Sequence, residues 1–155
     1  MIQLKRILFP TDFSPLAKAA QEYACELADK FGAELHVLFV AQELTILPID
    51  PTSTLVDRAT DMGQVVASAQ SCMERCLPAD WEGRHKVKKT VLVGSPIVEI
   101  VRYARENEMD LIVLGTHGRT GLTHVLMGSV AENVVRKAGC PVLTVRAKGH
   151  QFVMP

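Results

Sequence analysis

Glycines, a serine and an arginine are grouped in residues 115–129 in a pattern suited to binding a phosphate. The spacing is G-x2-G-x9-G-[S/T], and the residues that form it are Gly115, Gly118, Gly128 and Ser129. Glycine allows backbone N–H groups to approach an anion closely, and the guanidinium of Arg119 can hold a phosphate through two hydrogen bonds. Ser129 is predicted to cap a helix whose N-terminus carries partial positive charge, and Glu132 completes a capping box. The pattern therefore indicates a phosphate-binding loop, or alternatively a tight turn without a ligand.

A strand and a helix must position this loop. Asp110–Leu114 is a short, mainly apolar run that is typical of a buried strand, and residues 130–138 have the spacing of a helix. Open α/β sheets bind ligands at the carboxyl ends of their strands. The loop is therefore predicted to lie at that edge of the sheet.

The rest of the chain alternates strands and helices in the same way. The predicted strands are Leu4–Phe9, Glu34–Val40, His85–Val93, Asp110–Leu114 and Cys140–Arg146. The predicted helices begin at Ser14, Val56, Ser95 and Ser129, and they end near Gly32, Leu77, Asn107 and Gly139. Strict alternation predicts a parallel sheet with right-handed crossovers and helices on both faces. The periodicity leaves the order of the strands open.

The first helix has a marked apolar periodicity. Ser14 is its predicted N-cap, Pro15 its first helical position and Gly32 its C-terminal stop. Spacings of three and four residues predict a stripe that faces the core, formed by Leu16, Ala19, Ala20, Tyr23, Ala24, Leu27 and Phe31.

Three features have both a structural and a functional interpretation. His36 lies in an apolar strand, where a histidine satisfied by hydrogen bonds is favoured over a functional role. The lysines of His85–Val93 either protect an edge strand from aggregation or form a nucleic-acid patch, and zero net charge favours the edge strand. Residues 41–55 contain two prolines and no clear period, and they either fold over a ligand or partner or pack as inert covering.

Length and composition bound the class of protein. With 155 residues the chain is expected to form one domain. A formal net charge of zero excludes broad electrostatic attraction to nucleic acid or to a membrane surface. No apolar run reaches the length of a membrane span, and the N-terminus has the pattern of a strand and not of a signal peptide. A cytoplasmic location is therefore expected.

The four cysteines, Cys25, Cys72, Cys76 and Cys140, form no Cys-x-x-Cys pair. Cys72 and Cys76 are one helical turn apart and His85 follows, but structural zinc sites use four ligands at tighter spacings. Ordinary buried or half-buried thiols are favoured, and no metal ligands are assigned.

The motifs taken together resemble the universal stress protein family, in its ATP-binding branch. The resemblance rests on the glycine spacing, on Pro10-Thr-Asp-Phe-Ser-Pro15 near the N-terminus, and on Cys140-Pro-Val-Leu-Thr-Val145 near the C-terminus. It covers the chain from about Lys5 to Arg146. It implies one nucleotide-binding domain over residues 1–146 and a tail over 147–155. The implied fold is an open five-stranded parallel sheet of order 3-2-1-4-5 with helices on both faces, Rossmann-like and similar to adenine nucleotide alpha hydrolases.

This resemblance also implies an ATP site at the point where strands one and four lie side by side. Asp12 would lie near the base or ribose, and Val40 would meet adenine through its backbone. The glycines and Ser129 would cradle the ribose and phosphates, and Asp12 could also hold a Mg²⁺ or Mn²⁺ ion that bridges phosphates. The implied binding residues are Pro10, Thr11, Asp12, Val40, Gly115, Thr116, His117, Gly118, Arg119, Gly121, Gly128, Ser129 and Val130.

No set of catalytic residues follows from the sequence. The glycines lack the lysine of a P-loop NTPase, and the spacing of His117 and His124 does not define a nucleophile–base pair. The favoured hypothesis is a regulatory stress-response sensor in which ATP occupancy changes a surface that binds a protein partner. One alternative is a slow ATPase or phosphotransferase that uses Asp12, Arg119 and the histidines. A second alternative is a structural dimeric stress protein without a ligand.

A homodimer is also implied by the resemblance, through the last strand. Its residues are Val142, Leu143, Thr144 and Val145. A fifth strand at the edge of a sheet leaves unpaired backbone groups, which a symmetric pairing with a second copy would satisfy.

Overall fold

The computed structural model describes residues 1–42, 55–116 and 129–146, with the side chains of residues 55–61 and 129 excepted. Its strands are β1 (Arg6–Pro10), β2 (Glu34–Ala41), β3 (Val87–Val93), β4 (Leu111–Gly115) and β5 (Val142–Val145). Its helices are α1 (Ala17–Phe31), α2 (Leu55–Glu74), α3 (Ala79–Glu82), α4 (Pro96–Glu106) and α5 (Ser129–Lys137). The predicted alternation is confirmed, and the short helix α3 was not predicted.

The five strands form one parallel sheet in the order β3-β2-β1-β4-β5. This confirms the predicted fold class and places β1 and β4 side by side in the middle of the sheet. Among the described residues, β3 and β5 form the two edges of the sheet. The connection from β1 leads to β2, toward one edge of the sheet, and the connection from β4 leads to β5, toward the other edge. The pair β1–β4 is therefore the topological switch point.

Both faces of the sheet are covered, which explains the continuous apolar runs in its central strands. Side chains alternate along each strand, so Ile7 and Phe9 pack on the side of α1 and α2, while Leu8 packs on the side of α4 and α5. All three are fully buried. The core therefore consists of two layers that share the sheet.

Helix α1 contacts the sheet through alanines, and this corrects the predicted stripe. The buried residues are Ala17, Ala20, Ala24 and Ala28. Tyr23 and Phe31 are 53% and 40% exposed, so their inclusion in the core-facing stripe was wrong. Small side chains let the helix backbone lie close to the sheet, and larger residues are then accommodated only at the flanks.

The predicted C-terminus of α1 is confirmed, and its predicted N-terminus is wrong. The Ser14 hydroxyl accepts a hydrogen bond from the Ala17 N–H at 3.3 Å, but the helix begins at Ala17 with Leu16 as its N-cap, so Ser14 is not the N-cap and Pro15 is not the first helical position. Gly32 adopts a left-handed φ of 62°, and its N–H donates to carbonyls of the last turn. The predicted stop at Gly32 is therefore confirmed, because this conformation favours glycine.

Other boundaries differ from the predictions by small amounts. Helix α2 ends at Glu74 instead of Leu77. Strand β3 begins at Val87, and its lysines lie at a sheet edge as predicted. Within the described ranges, no helix is long and apolar enough to cross a membrane. The predicted tail 147–155 and most of the connection 41–55 lie outside the described residues.

Candidate functional site

The carboxyl edge of the sheet opens between β1 and β4. The two strands pair at Ile7–Leu111 and Leu8–Ile112, and both strands continue beyond these pairs. After the strands end, Thr11 donates its N–H to the carbonyl of Leu38 on one side, at 2.9 Å. Thr116 donates its N–H to the carbonyl of Val145 on the other side, also at 2.9 Å. After β1 the backbone turns toward β2, and after β4 it turns toward β5. A gap therefore opens between the ends of β1 and β4, which is the geometry of a ligand crevice at a switch point.

Strand β2 extends beyond the end of β1. The register pairs β1 with β2 only as far as Pro10–Leu38, whereas β2 continues to Ala41. In a parallel strand the N–H and C=O of one residue point to the same neighbour, and alternate residues face alternate neighbours. The carbonyl of Leu38 points toward β1, so the N–H and C=O of Val40, two residues later, point to the same side. Val40 lies beyond Pro10, the last residue of β1 that pairs with β2. The backbone of Val40 therefore borders the crevice.

Residues 11–14 form a turn stabilised by side chains and strained at Phe13. The Thr11 hydroxyl accepts a hydrogen bond from the Phe13 N–H at 3.0 Å, and Asp12 Oδ1 accepts one from the Ser14 N–H at 3.0 Å. Phe13 has a φ of +59°, an outlier for a bulky residue. Its ring stacks on that of Phe39 at 4.9 Å between centroids, with 20° between the planes. This packing sustains the strain and fixes the backbone beside Asp12.

The phosphate side of the predicted site is described in part. Gly115 is the last residue of β4, and the buried Thr116 follows it. Helix α5 begins at Ser129, and the half-buried Val130 packs against the core layer on the side of α4 and α5. The remaining predicted residues, His117, Gly118, Arg119, Gly121 and Gly128, lie outside the described residues, and so does the side chain of Ser129. The structure brings Pro10, Thr11, Asp12, Gly115 and Thr116 to one end of adjacent strands, with Val40 beside them.

Two residues at this edge were missed in the sequence. Phe13 gave no local signal, because its strain depends on a ring 26 positions away. Glu99 is a carboxylate in the first turn of α4 that is only 7% exposed. It lies four positions before the buried Tyr103, so its place on the apolar face of the helix was a detectable signal.

A second group of polar residues lies at the opposite, amino edge of the sheet. Arg6, Glu34, His36, Lys88 and Glu106–Glu108 line a cleft of about 370 Å³. Arg6 donates to the Asn107 carbonyl and to Glu108 Oε2, each at 3.1 Å. Lys88 Nζ lies 3.4 Å from Asn107 Oδ1. Both cations already have partners within the protein, so this cleft is a poorer candidate for a ligand than the carboxyl edge.

His36 is buried beneath this cleft and is only 4% exposed. Its Nδ1 lies 2.9 Å from the Tyr103 hydroxyl, so one of its two ring nitrogens has the hydrogen bond that was predicted for a buried histidine. Its Nε2 lies 3.2 Å from Glu34 Oε1 without hydrogen-bond alignment, and it has no hydrogen-bond partner among the described residues. Burial lowers the pKa of His36 below its usual range, Lys88 and Arg6 lower it further, and Glu34 opposes this shift.

The strand order and the open carboxyl edge define a single Rossmann-like α/β domain. The sequence model of the universal stress protein family matches residues 3–146. The chain therefore belongs to the universal stress protein family. Universal stress protein MJ0531 of Methanocaldococcus jannaschii is 34% identical over 144 residues, covering 92% of this chain and 82% of that protein. Universal stress protein MJ0577 of the same organism is 32% identical over 158 residues, covering 95% and 98%.

Solved structures show the same architecture. Universal stress protein UspA from Lactobacillus plantarum is 27% identical and superposes with a TM-score of 0.80 over 94% of this chain and all of that one. The structure of MJ0577 superposes with a TM-score of 0.75 at 31% identity, over 96% of this chain and 99% of that one. A universal stress protein in complex with cAMP shares the fold at 24% identity and a TM-score of 0.68, over 94% and 99% of the two chains.

Proposed function

We propose that this protein binds an adenine nucleotide, with ATP as the expected ligand, in the crevice between β1, β2 and β4. The observation that carries the proposal is the extension of β2 beyond β1, which directs the backbone of Val40 toward the crevice. A backbone N–H and C=O offer one donor and one acceptor, which complement the amino group and ring nitrogen of adenine. The base would thereby occupy the position beside Val40 where β1 no longer pairs with β2.

The other residues of the edge fit the rest of a nucleotide. Asp12 supplies a carboxylate that can accept hydrogen bonds from ribose hydroxyls or hold a cation that bridges phosphates. Gly115 has no side chain to keep a ligand away from its backbone, and the start of α5 at Ser129 supplies N–H groups and partial positive charge for phosphate. The loop residues predicted from the sequence, among them Gly118 and Arg119, would complete the phosphate contacts. A universal stress protein that shares this fold has been solved in complex with cAMP, an adenine nucleotide, which is in keeping with the proposal.

We propose a regulatory role for the site, because the signature lacks a recognisable catalytic set. The nucleotide would act as the signal, and a protein partner would read the occupied state. A phosphate-release assay over many turnovers separates this role from slow hydrolysis. Release that persists after repurification and is lost in Gly118→Ala would establish an ATPase instead.

Ligand content and stability measurements test the nucleotide site. Mass spectrometry of small molecules released from freshly purified protein identifies any co-purified nucleotide. For a Kd of about 10 µM, 1 mM ATP would stabilise the fold by about 2.7 kcal/mol and raise Tm by about 5–10 °C. No released nucleotide together with an unchanged Tm at millimolar ATP would reject the proposal.

A matched pair of isosteric variants locates the site. Asp12→Asn keeps an oxygen for the Ser14 N–H but loses the charge, and the loss of a charge-assisted hydrogen bond is expected to raise the Kd for ATP about tenfold. Asp110→Asn is the control, because Asp110 accepts hydrogen bonds from the Lys5 and Arg6 N–H groups at the opposite edge of the sheet. Its affinity for ATP should equal that of the wild type. Equal effects of the two substitutions would place the nucleotide elsewhere.

We further propose a homodimer through β5. This strand pairs with β4 on one side, and within the described part of the chain no strand pairs with its other side. Val142, Leu143 and Thr144 are only half-buried. Light scattering at tens of micromolar should give twice the chain mass, and Thr144→Pro should shift it toward the monomer by removing a backbone donor. A monomer mass for the wild type would contradict the dimer. The predicted cytoplasmic location stays a prediction.

A further inference from the structure

A buried carboxylate lies at the carboxyl edge of the sheet. Glu99, in the first turn of α4, is almost fully buried, and its carboxylate pairs with the guanidinium of Arg102. Burying a carboxylate is costly, so its position needs an explanation beyond an ordinary surface ion pair. The explanation lies in the residue against which it packs.

Glu99 packs directly on the backbone of Gly94, the first residue after β3. A Cβ placed on Gly94 would lie 3.1 Å from both Cγ and Oε1 of Glu99. Gly94 also has a φ of +151°, which side chains rarely allow. Glycine is therefore strongly favoured at this position, and the Glu99 side chain occupies the space beside it.

Gly94 in turn holds the end of β2. Its N–H donates to the carbonyl of Ala41 at 2.9 Å, which extends the β2–β3 pairing one step beyond β3. Ala41 faces β3 through this bond, and the preceding residue, Val40, faces the crevice on the other side. A continuous set of contacts thus leads from Glu99 through Gly94 and Ala41 to Val40.

We propose that Glu99 is a positioning residue for recognition of the base, because it holds the projecting end of β2 in place. The proposal rests on the nucleotide site described above. Val40 would read adenine through one donor and one acceptor, and guanine presents the reverse pattern at the same ring positions. A shift of β2 would weaken recognition of the base and leave the contacts to phosphate intact.

Three conservative variants test this role. Glu99→Asp keeps the charge but withdraws the carboxylate from Gly94 by one methylene, whereas Glu99→Gln keeps the shape and loses the charge. Glu106→Asp is the control, because Glu106 is an exposed residue in the last turn of the same helix. The measurements are the Kd values for ATP, GTP and inorganic tripolyphosphate by calorimetry, and the exchange rate of the Gly94 amide by NMR.

Glu99→Asp should weaken ATP about tenfold, leave tripolyphosphate within about twofold, and reduce the preference for ATP over GTP. Its Gly94 amide should exchange at least about tenfold faster. Glu99→Gln should retain most of the ATP affinity, and Glu106→Asp should match the wild type. Unchanged ATP affinity in Glu99→Asp, or equal weakening of ATP and tripolyphosphate, would overturn the positioning role while the nucleotide site stands. A wild-type protein that binds tripolyphosphate but neither nucleotide, or none of the three, would overturn both proposals.

Discussion

Phe13 has a left-handed backbone conformation beside Asp12, and its replacement by alanine or glycine measures the strain stored there. A non-glycine residue in this region costs about 1–2 kcal/mol. Both substitutions remove the half-buried ring and its stacking on Phe39, but only glycine relieves the backbone. The difference between the two variants therefore isolates the strain from the packing.

The magnitudes follow from the contacts of the ring. Partial burial of a phenyl group contributes about 1–2 kcal/mol, and the stacked pair adds about 0.5–1.5 kcal/mol. Phe13→Ala should therefore lower the free energy of unfolding by about 1.5–3.5 kcal/mol. Phe13→Gly gains about 1–2 kcal/mol from relief of strain and loses about 0.5–1 kcal/mol to the greater freedom of the unfolded chain. At the middle of these two ranges the Phe13→Gly variant should be more stable than Phe13→Ala by about 0.75 kcal/mol, the reverse of the usual order of the two residues.

The assay is urea unfolding of both variants at one pH and temperature. The slope of the free energy of unfolding against urea concentration is compared between the variants, to confirm that unfolding exposes the same surface area in each. ATP affinity should change in the opposite order. Phe13→Gly should bind more weakly than Phe13→Ala, because the freed backbone no longer holds Asp12 in one place. If Phe13→Ala proves more stable than Phe13→Gly by about 0.5–1 kcal/mol, the usual difference between the two residues, Phe13 stores no strain and the argument from its conformation fails.

Three further predictions concern the core, a buried titrating group and the thiols. Ala24→Leu should lower the free energy of unfolding by about 1–3 kcal/mol in urea, because α1 contacts the sheet through buried alanines; a neutral result would mean that the helix can move outward. Because the pKa of His36 is lowered in the folded protein, the unfolded chain binds more protons at this residue than the folded chain does below about pH 6.5. The contribution of His36 to the free energy of unfolding is therefore complete above about pH 6.5 and falls as the pH drops, by at most about 1.4 kcal/mol per pH unit. His36→Gln should lose that part of the pH dependence, and an identical slope below pH 6.5 in both proteins would contradict it. Iodoacetamide should modify the exposed Cys72 before Cys25, since burial raises the pKa of Cys25 to about 11; peptide mapping that finds Cys25 modified first would refute this order.

The layout of the fold could be predicted because local physics specifies it. The run Ile7–Phe9 is apolar at every position because both faces of a parallel sheet are buried, and such runs alternating with helical periods indicate this class of fold. Gly32 marked the end of α1 because a left-handed C-cap favours glycine. The strand order was implied by the family motifs and not by periodicity, since each strand pattern would be the same in any central position.

The faces of the helices were harder to predict, because tertiary packing selects among similar apolar residues. Tyr23 and Ala24 both belong to the apolar positions of α1, yet only Ala24 is buried. The close approach of α1 to the sheet decides between them, and side-chain size matters only once that distance is set.

The sequence by itself determined the glycine signature, the alternating elements and the membership of the family, because these depend on neighbouring residues and fixed spacings. Only the tertiary structure decided which distant groups meet. His36 contacts Tyr103 67 positions away, and Phe13 is held in a strained conformation by Phe39. The extension of β2 that directs Val40 toward the crevice is likewise a property of register between strands. Such contacts depend on how whole elements pack, and the free energy that selects them is shared among many residues instead of residing in one motif.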